Sequence, residues 1–224
     1  MKVTIQSPDS LNDIPLKHYQ EFLSLEEPTN IDVIHIFLRL PIDVIMKASK
    51  VDVDRIANEI IEMFNEDCKL QPTFELNGKE FGFIPAIDDI ALGEYRDATA
   101  YIQDWEDMHK AMAVLYRPVT SSKKVKGFRQ KKYLIEDYEG SSKYCEQLKE
   151  MPVSIVMGTM VFFYSLLNDL LRVIPHYLLK ELTEEQLEMA VSSRSGESIT
   201  KSILSVRETL EGLKRQPIGD YMSA

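Results

Sequence analysis

Residues 153–174 form the most apolar stretch of the chain, and where they go constrains the fold more than any other feature. VSIVMGTMVFFYSLL runs from Val153 to Leu167, and Asn168, Asp169 and Arg172 then interrupt it. A bilayer crossing takes roughly 20 consecutive apolar residues without such charges, so the stretch is read as a buried helix. Pro152 suits its first turn and Pro175 bends or ends it. With 44% apolar residues in 224, the chain has enough material to build a core around this helix.

The remaining segments suggest mostly helices. Leu16, Tyr19, Phe22 and Leu23 fall at helical spacing between Pro15 and Pro28. Asn30 reads as the N-cap of a helix over 31–40, and Pro41 separates it from a short helix reaching Lys47. Asp52 or Asp54 opens another helix, with Ile56, Ile60, Met63 and Phe64 inward and an end near Cys68. Residues 87–117 carry Tyr95, Ala98, Ile102, Trp105, Met108, Met112 and Leu115 at three-and-four spacing, which predicts one or two helices broken near Asp104 and stopped by Pro118. Ser141 or Ser142 starts a helix that runs to Glu150.

Strand signals are fewer. Val3 and Ile5 alternate in a short N-terminal strand. Asn77-Gly78 sits between arms in which Phe74 and Leu76, then Phe81 and Phe83, alternate; this dipeptide accepts the positive φ angles of a type I′ turn, so residues 73–84 read as a β-hairpin. Residues 133–138 make a further strand or extended piece. The expected class is therefore mainly α with a small β component, one β-hairpin plus short strands, in a compact helical core around one long apolar helix. Residues 1–181 form that core domain. Residues 182–224 form a charged C-terminal helical extension with a capping box at Thr183, a Ser/Gly-rich hinge at 192–198, and an apolar stripe of Ile199, Ile203, Val206, Leu210 and Leu213.

Charge and motif content exclude several function classes. The 36 acidic and 26 basic residues give a net charge of −10, which disfavours general binding to nucleic acid or anionic membrane. The start, MKVTIQSPDS, lacks the apolar run of a secretory signal, and two distant cysteines, Cys68 and Cys145, fit a reducing cytoplasm rather than a disulfide framework. His18, His35, His109 and His176 lie on separate segments, without the close ligand pair that a zinc or di-iron site needs. Asp104 before His109 could align a carboxylate with an imidazole, but a solvated helix face with Trp105 packed inward explains the same residues. No glycine pattern cradles phosphate, and the serines at 192–198 lack a nucleophile elbow. Cys145, beside Lys143 and Lys149 on an exposed-looking helix, has no adjacent base and reads as an inert thiol. No metal, cofactor or enzymatic turnover is expected.

The strongest local charge signal is a basic loop at 120–132. Lys123, Lys124, Lys126, Arg129, Lys131 and Lys132 crowd it, with Phe128 among them, and they form the candidate interaction surface for phosphate or an acidic protein. A solvated loop that offsets an acidic body accounts for the same composition equally well.

The blocks FGFIPAIDDIALGEYRDATAYIQDWEDMHKAMAVLYRPV, KYLIEDYEG and MPVSIVMGTMVFFYSLLNDLL resemble a family of small proteins encoded among the virion genes of tailed bacteriophages, especially crAss-like phages of Bacteroidales. The likeness spans the central half of the chain, stops before Pro175, and attaches no role to individual residues. It implies a non-enzymatic structural protein, made in the host cytoplasm and placed in the virion, as a subunit of the head–tail connector or tail ring. Its implied partners are other phage structural proteins and copies of itself in a homo-oligomeric ring, with no specific nucleic-acid binding and no membrane. A tail-assembly chaperone that leaves before the virion is finished is the second reading. A small phage-encoded enzyme or nucleic-acid factor, resting on His109 and the basic loop, is the third.

Overall fold

A computed structural model describes residues 7–86, 90–123 and 132–166. The chain divides into two compact units, Met1–Thr159 and Met160–Ala224. The expected boundary near residue 181, the N-terminal strand and the C-terminal extension all lie outside the described residues.

The first unit is mainly helical with a four-stranded antiparallel sheet, the expected class. Helix α1 (Leu16–Leu23) buries Leu16, Tyr19 and Phe22 on one face. A helix start leaves its first amides without intrahelical acceptors, and here the backbone before residue 153 supplies them: Leu16 N donates to Met151 O (2.8 Å) and Lys17 N to Lys149 O (2.9 Å). Val153 N returns a bond to Ile14 O (2.9 Å), so the chain segments around Pro15 and Pro152 hold each other.

Helix α2 (Asn30–Leu38) starts one residue before the expected position. Thr29 is its cap, in a reciprocal box with Asp32: Thr29 N donates to the Asp32 carboxylate (2.9 Å) and Asp32 N donates to the Thr29 hydroxyl (3.4 Å). Asn30 is thereby free to donate to Asp54 Oδ1 (2.8 Å) across to α4 (Lys50–Met63), while α3 (Ile42–Ile45) follows Pro41 as expected. The α4 cap is Ser49, not an aspartate; Asp52 instead completes the turn by accepting from the Ser49 hydroxyl (2.6 Å). Helix α4 ends at Met63, short of Cys68, and buries Ala57 and Ile60 fully.

Strands β1 (Thr73–Leu76) and β2 (Lys79–Phe83) form the expected hairpin, with Asn77 at φ 52° and Gly78 at φ 75°. Helix α5 (Leu92–Tyr101), a 3-10 turn at Trp105–Asp107 and α6 (Met108–Leu115) occupy the segment expected to be helical and broken near Asp104. The helix does not run on to Arg117, however. At Tyr116 it passes straight into strand β3 (Tyr116–Lys123), which pairs with β2 through Phe81↔Pro118, Gly82↔Arg117 and Phe83↔Tyr116. Pro118 stands at the end of that ladder, where its missing N–H is least costly. Strand β4 (Lys132–Ile135) then pairs with β3, giving the order β1-β2-β3-β4. A 3-10 turn at Ser141–Lys143 and helix α7 (Cys145–Leu148) precede the apolar stretch.

The apolar stretch is helical over residues 153–166 and buried where it belongs to the first unit: Val153, Ile155, Val156 and Met157 are core residues. Helix α6 shares the centre with it, burying Met108, Ala111, Met112, Ala113, Val114 and Leu115. In the second unit, residues 160–166 are helical, the Phe162 and Phe163 rings meet edge to face at 5.4 Å, and Val161 and Leu166 are exposed. Among the described residues, no helix is long and apolar enough to cross a membrane.

Gly158 makes the close approach that lets the loop after α4 lie on the core. A Cβ there would stand 2.3 Å from Lys69 O and 2.6 Å from its carbonyl carbon. The obstacle is backbone, which cannot rotate aside. Gly158→Ala is therefore expected to lower the unfolding free energy by about 1–2 kcal/mol in urea titration, overpacking outweighing a helix-propensity gain of about 1 kcal/mol. A more stable variant would show that the loop yields freely.

Candidate interaction surface

The basic segment is closed by a strand pair. Lys123 and Lys132 are register partners at the end of the β3–β4 ladder, preceded by Ser122↔Tyr133 and Ser121↔Leu134, with a register shift between Val119 and Ser121. Residues 120–123 are thus strand rather than loop, a correction to the expected loop over 120–132: the alternation of Val119 and Ser121 is too polar to show as a buried strand, and pairing with β2 and β4 fixes it instead. Lys124, Lys126, Phe128, Arg129 and Lys131 lie outside the described residues.

Tyr133 anchors this hairpin to the sheet. Its hydroxyl donates toward Pro72 O (3.0 Å) and Phe83 O (2.8 Å), and its ring lies over Gly82, where a Cβ would stand 2.6 Å from Tyr133 Cε2. Burial raises the Tyr133 hydroxyl above its ordinary pKa. Glu136 N donates to Pro118 O (2.9 Å), extending the attachment past β4. Glu136 also accepts from the Tyr144 hydroxyl (2.6 Å) and pairs with Lys143, which together hold its carboxyl below the ordinary range.

Beneath the strand start lies a buried ion pair. Arg117, the second residue of β3, pairs through Nη1 with Glu94 Oε1 on α5, and both side chains are 9% exposed. Glu94 Oε2 accepts from Ala91 N (2.7 Å), so one carboxylate caps α5 and docks the sheet. The Tyr138 ring lies 5.6 Å from the guanidinium, and its hydroxyl donates to Asp97 Oδ2 (2.6 Å). That bond, followed by the Arg96 contact, lowers the Asp97 pKa. The Nε–H of Arg117 has no hydrogen-bond partner.

The structure does not bring Asp104 and His109 together as an acid–base pair. Asp104 Oδ1 accepts from Glu106 N (2.9 Å) and caps the 3-10 turn, while buried His109 meets Gln20 Nε2 through Nδ1 at 3.2 Å. Trp105 packs inward as expected, edge-on to Tyr19 at 4.9 Å. Cys145 is 9% exposed rather than on an open helix face, and its thiol donates to Ser142 O (3.7 Å). Burial, then Glu66 and Asp67, raise the Cys68 thiol. Among the described residues, no three His, Cys, Asp or Glu side chains group as a metal site.

Sequence reasoning missed an apolar surface around α3. Ile42, Met46 and Val51 are exposed, at 48%, 67% and 76%. Met46 also lines a shallow cavity of about 340 Å³ with Ile31, Ile45 and Val53, with Asn30 and Asp54 at its polar side. The signal was present as the Ile42/Met46 pair at i,i+4 after Pro41, on the face opposite buried Ile45.

No protein-family model, curated protein or solved structure matches the chain.

Two substitutions test this construction. Glu94→Gln leaves a buried guanidinium uncompensated and is expected to cost roughly 3–5 kcal/mol in denaturant unfolding, a loss far outside what a surface pair gives. Tyr133→Phe removes the anchoring hydroxyl and is expected to cost about 0.5–1.5 kcal/mol, with amide exchange accelerated in β4 and unchanged in α4.

Proposed function

We propose that this chain is a non-enzymatic structural subunit of a tailed-bacteriophage particle, one that assembles in the head–tail connector or tail ring. The observation that carries the reading is the placement of charge: six cations fall between Lys123 and Lys132 on a chain of net charge −10, and the first and last of them face each other across the closing rung of the β3–β4 hairpin. The segment leaves and rejoins the sheet at that one rung. An acidic body with one basic arm has the complementarity needed to dock copies of itself or another acidic virion protein head to tail, and a cyclic array multiplies each contact by the number of subunits. The setting, a tailed-phage particle, comes from the resemblance read in residues 81–119, 132–140 and 151–171. An acidic ring also repels DNA that passes through it, which favours sliding over sticking.

Exposed Ile42, Met46 and Val51 supply apolar contact area of the kind a subunit buries in an assembly. The chaperone reading has no separate observation in its favour.

Quantitative mass spectrometry of purified particles tests the proposal: the chain should be present in a fixed number of copies per portal ring. Its loss from mature particles, with presence only in assembly intermediates, would replace the structural role with a chaperone role. Neutralising Lys123, Lys124, Lys126, Arg129, Lys131 and Lys132 to Gln is expected to block assembly without lowering the melting temperature. In the native protein, docking should weaken from low to moderate salt, because exposed charges are screened beyond about 10 Å at 0.1 M. Normal assembly by the neutral variant would return the segment to a solvated connection.

A further inference from the structure

Besides its backbone bonds to Met151 and Lys149 and the ion pairs Lys17–Glu150 and Glu21–Arg39, helix α1 has two polar attachments to its neighbours that end on an imidazole nitrogen. On one side Arg39, the left-handed residue that ends α2, donates from Nε to His18 Nε2 at 2.9 Å. A guanidinium is only a donor, so Nε2 carries no proton and the His18 ring is neutral with its proton on Nδ1. That nitrogen is buried and has no partner. On the other side Gln20 Nε2 faces Trp105 O (2.6 Å), Glu106 O (2.9 Å) and His109 Nδ1 (3.2 Å). The two carbonyl oxygens fix the amide with its nitrogen outward and take its two hydrogens, so His109 Nδ1 lies against a group that can only donate, which leaves no place for a proton on Nδ1 and keeps that ring neutral too.

We propose that α1 is an acid-sensitive latch: protonation of His18 and His109 turns both acceptors into donors that face donors, and α1 opens locally before the rest of the first unit. The charges around each ring work in the same direction. His18 faces Arg39 on α2 and Lys17 on its own helix, against Glu21 on α1 and Glu150 after α7; burial first, then Arg39 and Lys17, bring its pKa down to about 4. His109 faces Lys149 and Lys110, against Glu146 on α7 and Asp107 beside α6; burial first, then the two lysines, lower it as well. Both shifts lie below the unfolded value of about 6.5, so the unfolded segment binds more protons than the folded one. The stabilisation is complete above pH 6.5 and is lost as pH falls toward about 4. Asp32, held below the ordinary carboxylate range by Thr29, keeps the α2 cap ionised through most of that window. What opening exposes is aromatic: Tyr19 leaves Phe64 and Trp105, and Phe22 leaves Phe37.

Amide hydrogen exchange of the full chain, corrected for intrinsic rates, tests the latch. Between about pH 6.5 and pH 4.2 the opening constant of the α1 amides should rise about tenfold or more, while β1–β2 amides keep their protection. The comparison is H18Q/H109N, in which a side-chain oxygen stands where Nε2 of His18 and Nδ1 of His109 accept and neither position titrates; there the rise should fall below about twofold. Unchanged α1 protection in the native chain, or the same rise in the variant, would overturn the proposal. Nitrogen NMR of the native imidazoles decides the matter if the variant folds poorly: the Nδ1–H tautomer at His18 and Nε2–H at His109 at pH 6 support the latch, and either ring charged at that pH with α1 still protected refutes it.

Discussion

The structure depends on the passage of helix α6 into strand β3 without a connecting loop, and Tyr116 is the residue that fixes it. Its side chain is fully buried, its ring lies edge-on to Phe74 and Phe83 at 5.3 and 5.2 Å, and its hydroxyl donates to Gln71 O (2.9 Å) beside Thr159 Oγ1 (3.1 Å). One side chain therefore joins the β1–β2 hairpin, the central helix, the loop before β1 and the end of the first unit. Burial pushes this hydroxyl well above its ordinary pKa, so it stays a neutral donor. The next residue, Arg117, then meets Glu94, and a sheet that begins inside the core is docked on α5 before it reaches solvent. The far end of the same strand carries the basic segment.

Much of this was legible in the sequence where local and global preferences agree. Asn77-Gly78 between alternating aromatics admits one reading, and α1 falls where the Leu16, Tyr19 and Phe22 spacing puts it. Helix starts were displaced by one to a few residues, because Thr29 and Ser49 outcompete Asn30 and Asp52 for the cap while those residues take other bonds. Strand β3 was not legible. Met108, Met112 and Leu115 continue a helical period up to the point of change, and nothing local distinguishes Tyr116 from another helical turn. The strand exists because β2 and β4 offer it hydrogen bonds on both edges, a tertiary cause that a window of sequence does not contain.

The candidate site divides in the same way. The clustering of cations is visible as composition, but only the Lys123↔Lys132 pairing places the two ends of the cluster together. The Asp104–His109 pattern dissolves into a cap and a buried hydrogen bond to Gln20, an outcome set by α1, which is distant in sequence. Among the described residues, the buried Arg117–Glu94 pair and His109 hold elements together.

The claim that the basic arm docks on an acidic partner is tested most directly by zero-length carboxylate–amine cross-linking of assembled particles, read by peptide mass spectrometry. The account predicts links from Lys124, Lys126 and Lys131 to carboxylates of another chain, formed at low salt and lost when exposed charges are screened. Lysines of this segment that stay unlinked in intact particles, or that link only to acids of their own chain, would contradict it.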